Sequence, residues 1–258
     1  MTAAPATTSA SASSPRRNNR MRAECYTGGL ENTHTPRLLI VAIDGPSGVG
    51  KGTVSRALAK ALGYRHIDTG AMYRAVAWHA REQGLPLDNE AAVADLAARV
   101  EMSMAHGAVV VDGVDVTHAI RTPEMDQAAA AVARMPRVRA VLVERQRALG
   151  RPGGVVMEGR DIGTVVFPDA ELKVFLTASP QARAGRRVTQ RGDEAEADAL
   201  AAETAALEAR DRADSSRAVA PLRAADDAIL LDTTSMSFAD QVRIIVELAR
   251  PIFGIRKP

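Results

Sequence analysis

The feature that most constrains this chain is a glycine-rich segment between an apolar run and a helical pattern. Residues 37–43 are almost continuously apolar, as in a strand buried on both faces of a parallel sheet. The segment DGPSGVGKGT follows at 44–53, and a helical pattern extends over 53–62. Strand, glycine loop, lysine and helix in this order are the context of a phosphate-binding loop, or P-loop. We therefore expect this part of the chain to bind a polyphosphate.

The residue types of the loop suit that task. Glycines let backbone N–H groups turn toward phosphate oxygens, and the helix N-terminus adds the positive end of its dipole. Lys51 is expected to reach the β and γ phosphates of ATP. Gly52 stands where the usual motif has Ser or Thr, so a hydroxyl ligand to Mg²⁺ is either absent or shifted to Thr53. The predicted ATP-binding residues are Gly45, Pro46, Ser47, Gly48, Val49, Gly50, Lys51, Gly52 and Thr53.

Strand and helix patterns alternate along most of the chain, which predicts an α/β fold with a parallel sheet covered on both faces. Further sheet strands are predicted at 64–67, 154–157, 171–176 and 228–231. Helices are predicted at 53–62, 69–83, 89–99, 123–149 with a division at Pro136, 180–191, 194–212 and 238–250. Short strand-like pieces at 100–104, 108–112 and 114–116 are foreign to such a sheet, and they predict a small inserted β subdomain at about 100–116.

Composition excludes several kinds of protein. The net charge of +2 and the aromatic share of 3% argue against a nucleic-acid-binding surface. No apolar run is long enough to cross a bilayer, so no membrane partner is expected. The one cysteine, Cys25, allows no disulfide within the chain, which favours a cytoplasmic location.

Residues 1–36 are small, polar and poor in acids, and we expect a disordered extension there, with a targeting segment as the alternative.

Two further segments carry candidate acceptor-binding side chains. Thr69 and Arg74 lie near the start of a predicted helix, where they could meet a small anion, although a helix cap and a solvated arginine are the alternative. The predicted strand at 154–157 is followed by EGRDIGT, and charged groups at that end of a parallel strand lie where ligands bind. We expect Glu158 to help hold Mg²⁺ through water and Arg160 to hold a phosphate.

Arginines are dense in the last third of the chain. Arg210, Asp214 and Arg217 are spaced to share one helix face, which is either part of the site or an ion-paired surface. A second group precedes Gly192 and belongs either to a lid that closes over ATP or to a solvated basic face. The members of this second group are Arg183, Arg186, Arg187 and Arg191.

Four segments together resemble the bacterial cytidylate kinases, over about residues 38–250. They are 44–53, 68–74 (DTGAMYR), 158–168 (EGRDIGTVVFP) and 217–222 (RAVAPL). The resemblance implies a P-loop kinase with a five-stranded parallel sheet, a lid, and an acceptor-binding region with a small β insertion. It also implies transfer of the γ-phosphoryl group of ATP to CMP or dCMP, with Mg²⁺ as cofactor.

The resemblance assigns roles by position. Arg139 and Asp161 would read the cytosine edge, and Arg210 and Asp214 would contact the sugar hydroxyls. Catalysis would depend on Lys51, Arg160 and Arg217. The residues that would hold the acceptor phosphate are Thr69, Arg74, Arg160 and Arg217. Some members of the family carry a serine where this chain has Ala130, which leaves selectivity for CMP over UMP open. Some members also carry a serine at the position of Thr69, and the threonine keeps that hydroxyl.

The resemblance also sets expected boundaries and leaves two rivals. We expect one kinase domain at 37–258, with an acceptor-binding insertion at about 68–150 and a lid at about 180–215, acting as a monomer in the cytoplasm. One rival is a small-molecule kinase for UMP or a non-nucleotide acceptor such as shikimate. The other is a nucleotide-binding module without acceptor-dependent turnover.

Overall fold

The computed structural model describes residues 38–105, 107–191 and 197–253. The predicted extension at 1–36 lies outside these residues. The main sheet has five parallel strands, β1 (Ile40–Asp44), β2 (Arg65–Asp68), β6 (Val155–Gly159), β7 (Leu172–Thr177) and β8 (Ile229–Asp232). Their order across the sheet is β2-β6-β1-β7-β8. The predicted fold class, a P-loop α/β fold with a five-stranded parallel sheet, is confirmed.

Eight α-helices surround the sheet or extend from it within the described residues. They are α1 (Lys51–Leu62), α2 (Thr69–Glu82), α3 (Glu90–Arg99), α4 (Pro123–Val132), α5 (Pro136–Gly150), α6 (Pro180–Arg191), α7 (Ala197–Ser215) and α8 (Phe238–Phe253). One apolar core joins the sheet to α1 and α8, through residues such as Ile43, Leu58 and Ile245. A second core joins α2, α3, α4 and α5 around Leu142. In the described part of the chain, no helix has the length and apolarity to span a membrane.

A second, antiparallel sheet lies between α3 and α4. Its strands are β3 (Met102–Ala105), β4 (Ala108–Val111) and β5 (Val114–Asp115). Asp112 and Gly113 both have positive φ, 46° and 82°, as in the two-residue turns that suit the twist of a hairpin. Val109 and Val111 face an apolar cluster that includes Ala71 and Ala75 of α2. This packing holds the small sheet against the helix that carries Arg74.

Three local differences from the sequence-based prediction bear on the site. Asp68, not Thr69, caps α2, because its carboxylate accepts a hydrogen bond from the Ala71 amide. A π-helical turn, Ile162–Val166, follows β6 and was not predicted. Helix α7 ends at Ser215, so Arg217 does not share a helix face with Arg210.

Candidate active site

The glycine loop connects the end of β1 to the start of α1. Gly50 is the N-cap of α1 with φ 98°, a backbone conformation that side chains other than glycine rarely adopt. The buried Lys51 Nζ lies over the loop and donates to the carbonyls of Gly45, at 2.8 Å, and Pro46, at 2.6 Å. Burial and the nearby Arg160 lower the pKa of Lys51 well below its usual value. A polyphosphate at this loop would offset both effects and favour the charged lysine.

Asp44 ties the glycine loop to the charged segment that follows β6. Its Oδ1 accepts from the Ile162 amide at 2.9 Å, and its Oδ2 accepts from the Gly163 amide at 2.8 Å. Burial raises the pKa of the Asp44 carboxyl to about 6, against the lowering effect of these two hydrogen bonds. Asp44 therefore fixes the start of the π-helical turn relative to the loop.

A cavity of about 1500 Å³ opens beside the glycine loop. The lining includes Ser47 to Thr53 of the loop and Glu158 of β6, together with every predicted acceptor-side residue. These residues are Thr69, Arg74, Arg139, Arg160, Asp161, Arg210, Asp214 and Arg217. Gly45 and Pro46 do not line the cavity, and they contribute through the carbonyls that accept from Lys51.

The acceptor-side arginines are paired with carboxylates. Arg74 Nη2 lies 3.0 Å from Asp68 Oδ2. Arg160 Nε lies 3.1 Å from Asp214 Oδ2, and Arg217 Nη2 lies 3.6 Å from Asp214 Oδ1. Burial acts to raise the pKa of Asp214, yet Arg160, Arg217 and Arg210 together hold it below its usual value. The sequence pattern of Arg217 with Asp214 thus forms an ion pair within the cavity, not on a solvated surface.

A second pair, Arg139 with Asp161, is almost completely buried at the cavity wall. Arg139 Nη2 donates to Asp161 Oδ2, and the guanidinium lies 6.0 Å from the centre of the Tyr73 ring. Burial raises the pKa of the Tyr73 hydroxyl to about 12. A guanidinium beside a carboxylate offers donors and acceptors on one edge, which suits a ring that carries both. Ala129, Ala130 and Ala133 line the cavity as well and add no polar group.

Glu158 and Thr69 lie where β6 and α2 meet. Thr69 Oγ1 donates to the Glu158 carbonyl at 2.6 Å, which fixes this hydroxyl at the cavity. Glu158 Oε1 lies 2.8 Å from His66 Nε2, and a Cβ on Gly52 would lie 3.3 Å from the same carboxylate oxygen. One buried carboxylate beside a phosphate loop fits Mg²⁺, which binds proteins through one or two carboxylates and otherwise through water and phosphates.

The arginines of α6 turn toward the glycine loop. Arg183 is buried and donates to the Ser47 carbonyl at 3.0 Å, and Arg186 donates to the Val49 carbonyl at 3.2 Å. Arg187 Nη1 donates to Ser47 Oγ at 3.1 Å. The alternative of a solvated basic face is therefore wrong for these three residues. The fourth member of the predicted group is Arg191, and its side chain is not among those that the structure describes.

Sequence reasoning missed several residues that line the cavity, among them His66, Tyr73 and Asp126. His66 contacts the Glu158 carboxylate, and Tyr73 lies beside Arg139. Asp126, in the first turn of α4, lies 2.8 Å from Arg187. Tyr73 adjoins the predicted Arg74, which was a usable signal. An acid at the start of a helix is ordinarily explained by the helix dipole, so Asp126 gave none.

The geometry of the cavity defines a class of protein. The glycine loop and a separate group of arginines line the same cavity. A P-loop phosphotransferase needs this arrangement, because it must bring two anions together. The cytidylate kinase family model matches residues 41–251. The chain therefore belongs to the cytidylate kinase family.

Individual relatives agree with this assignment. The cytidylate kinase of Desulfitobacterium hafniense (strain Y51) is 47% identical over 213 residues, which are 81% of this chain and 92% of that protein. The cytidylate kinase of Pseudomonas aeruginosa (strain UCBPP-PA14) is 47% identical over 216 residues, 80% of this chain and 93% of that protein. A bifunctional pantoate ligase/cytidylate kinase of Synechococcus sp. (strain JA-2-3B'a(2-13)) is 48% identical over 227 residues, 85% of this chain and 42% of that protein. The chain thus spans less than half the length of such bifunctional relatives.

The raised pKa of Asp44 predicts how stability changes with pH. Between the unfolded value of 3.8 and the folded value of about 6, the folded chain keeps a proton that the unfolded chain releases. The stability contributed by the neutral group is therefore complete below pH 3.8 and is lost as the pH rises through 6. We expect the free energy of unfolding of the natural chain, relative to Asp44→Asn, to fall by about 3 kcal/mol over this window. Denaturant unfolding of the natural chain and of Asp44→Asn at several pH values measures this difference in the free energy of unfolding. Parallel pH profiles for the two proteins would contradict the raised pKa of Asp44.

Proposed function

We propose that this chain transfers the γ-phosphoryl group of ATP to CMP and dCMP, giving ADP with CDP or dCDP, in pyrimidine nucleotide metabolism. The observation that carries the proposal is the arrangement of one cavity with cationic groups on two sides. Lys51 and the loop amides suit the triphosphate, and Arg74, Arg160 and Arg217 suit the acceptor phosphate. Relatives with 47% sequence identity are cytidylate kinases, and this supports CMP as the acceptor.

The proposed mechanism depends on positioning and charge. The acceptor oxygen already belongs to a phosphate, so no general base has to activate it. Two anions repel each other, and the guanidinium groups of Arg160 and Arg217 reduce that repulsion while Lys51 stabilises the transferred group. Thr69 and Arg74 complete the acceptor-phosphate site, with the Thr69 hydroxyl oriented by the Glu158 carbonyl.

The nucleoside would be recognised by the remaining pairs. Arg139 and Asp161 present donors and an acceptor that complement the edge of cytosine, and their burial makes a mismatched base costly. Arg210 and Asp214 line the same cavity, and we assign them to the sugar hydroxyls. Since three alanines line the same region, discrimination against UMP would rest on the Arg139–Asp161 pair.

Mg²⁺ is the proposed cofactor, bound with ATP. Glu158 would hold it through water, and Thr53 is the hydroxyl of the loop that could assist. The ion would neutralise charge on the phosphates. We further propose the boundaries expected from the resemblance: a kinase domain at 37–258, preceded by residues 1–36, an acceptor-binding insertion at about 68–150 with its β subdomain at about 100–116, and a lid at about 180–215. A monomeric protein in the cytoplasm, without nucleic-acid or membrane partners, completes the proposal.

An ADP-release assay across several acceptors tests the function. CMP and dCMP are expected to give rapid turnover, UMP slower turnover, and AMP and shikimate none above the rate with ATP alone. Turnover with shikimate but not with CMP would favour the alternative of a small-molecule kinase with a non-nucleotide acceptor. ATP binding without acceptor-dependent turnover would favour a binding module.

Replacing the loop lysine is the sharpest test of the triphosphate site. Lys51→Ala is expected to reduce kcat with ATP and CMP by at least about a hundredfold, the scale of losing one donor to the transition state. Lys60→Ala, which removes an exposed lysine from the same helix, is the matched control and should keep normal turnover. Near-normal kcat in Lys51→Ala, with both variants folded by circular dichroism, would refute the site.

Replacing Arg139 tests the base-reading role. Arg139→Ala is expected to raise KM for CMP by at least about tenfold and to leave KM for ATP nearly unchanged, because the lost donors face only the acceptor. Arg137→Ala changes an exposed arginine two positions earlier on α5 and should leave both constants unchanged. Equal rises in both constants for Arg139→Ala would count against the assignment.

A further inference from the structure

The carboxylate of Asp126 lies among guanidinium groups from three other helices. Its Oδ2 is 2.8 Å from Arg187 Nη2 on α6 and 3.8 Å from Arg210 Nη1 on α7. Its Oδ1 is 3.8 Å from Arg74 Nη1 on α2. All four side chains line the cavity. One acid thus contacts or approaches an arginine from each of three helices, α2, α6 and α7.

The helix dipole does not account for this convergence. Asp126 is in the first turn of α4, where a negative charge is favourable, and Thr122 caps the same helix. Glu124 occupies the same turn, and it is exposed to solvent. The dipole would be served equally well by Glu124, and it requires no contact with Arg74, Arg187 or Arg210.

Arg74 and Arg187 also have other partners, and Arg74 and Arg210 have unused donors. Arg187 Nε lies 3.0 Å from Glu203, and its Nη1 donates to Ser47 Oγ. Arg74 pairs with Asp68. In the part of the chain that the structure describes, the buried Nε atoms of Arg74 and Arg210 have no hydrogen-bond partner. A buried donor without a partner is costly, so this group of side chains is prepared for a further anion.

We propose that Asp126 is an internal counter-anion for these arginines. It pairs with Arg74, Arg187 and Arg210 while the cavity holds no substrate, and a substrate phosphate takes its place. The carboxylate reduces the repulsion among three cations that burial brings close together, and for the same reason it competes with a phosphate for them. Asp126 is therefore a positioning residue, and this inference rests on the phosphoryl-transfer function proposed above.

The competition has a measurable consequence. Asp126→Asn removes the negative charge and keeps the shape, so a phosphate should bind more tightly, by about tenfold for the loss of one charge at this range. The probe is inorganic phosphate, titrated by calorimetry into chain saturated with ADP so that the glycine loop is filled. With ATP and CMP, KM for CMP should fall severalfold without a rise in kcat. A purely structural role would instead weaken binding or leave it unchanged.

Three variants make the comparison decisive. Asp126→Glu keeps the charge and should bind phosphate as the natural chain does. Glu124→Gln removes a charge from the same helical turn away from the arginines, and it should not change phosphate affinity. Asp126→Ser is a second neutral variant for use if Asp126→Asn does not fold.

Two results would overturn the proposal. The first is unchanged or weaker phosphate binding in the folded neutral variant. The second is tighter binding in Glu124→Gln equal to that in Asp126→Asn. Failure of the natural chain to phosphorylate CMP would refute the proposed function instead, because the calorimetric comparison needs no acceptor.

Discussion

The parallel pairing of β1 with β6 is the constraint on which the rest of the site depends. Ile43 pairs with Glu158 and Asp44 pairs with Gly159, so the glycine loop and the charged segment leave the sheet side by side. The two hydrogen bonds from Asp44 to the π-helical turn then fix one segment relative to the other. A one-residue shift in this register would turn alternate side chains to the other face and separate Lys51 from Arg160.

Charge balance is the second organising factor of the cavity. Guanidinium groups brought together under partial burial repel one another, and a buried charge without a partner is strongly destabilising. Within the described residues, carboxylates are placed against the arginines of the cavity. They include Asp68, Asp126, Asp161 and Asp214. The same pairs that stabilise the fold must loosen or rearrange when phosphates enter, so folding and ligand binding use one set of cations.

Much of the fold and the triphosphate site follows from short-range patterns. The apolar run at 37–43 and the glycine spacing at 45–52 are local signals, and each corresponds to the expected element, with strand β1 shorter than predicted. The π-helical turn depends on residues far from it in the chain. Asp44 accepts a hydrogen bond at its start, and Arg147 donates to the Val165 and Val166 carbonyls. Such contacts join residues far apart in the chain, and sequence spacing does not reveal them.

Helix α6 shows why only some of its arginines are suited to exchange partners. Arg183 and Arg186 donate to backbone carbonyls of the glycine loop, and Arg183 is also paired with Asp211. A carbonyl held in the loop cannot leave when a phosphate arrives, so these two residues anchor the helix. Arg187 is bound by the charged side chains Asp126 and Glu203 and by the Ser47 hydroxyl. A phosphate can replace a carboxylate with little change in geometry, since both accept from a guanidinium in the same way. Arg183 and Arg186 therefore hold α6 against the glycine loop, whereas Arg187 can exchange a carboxylate partner for a phosphate.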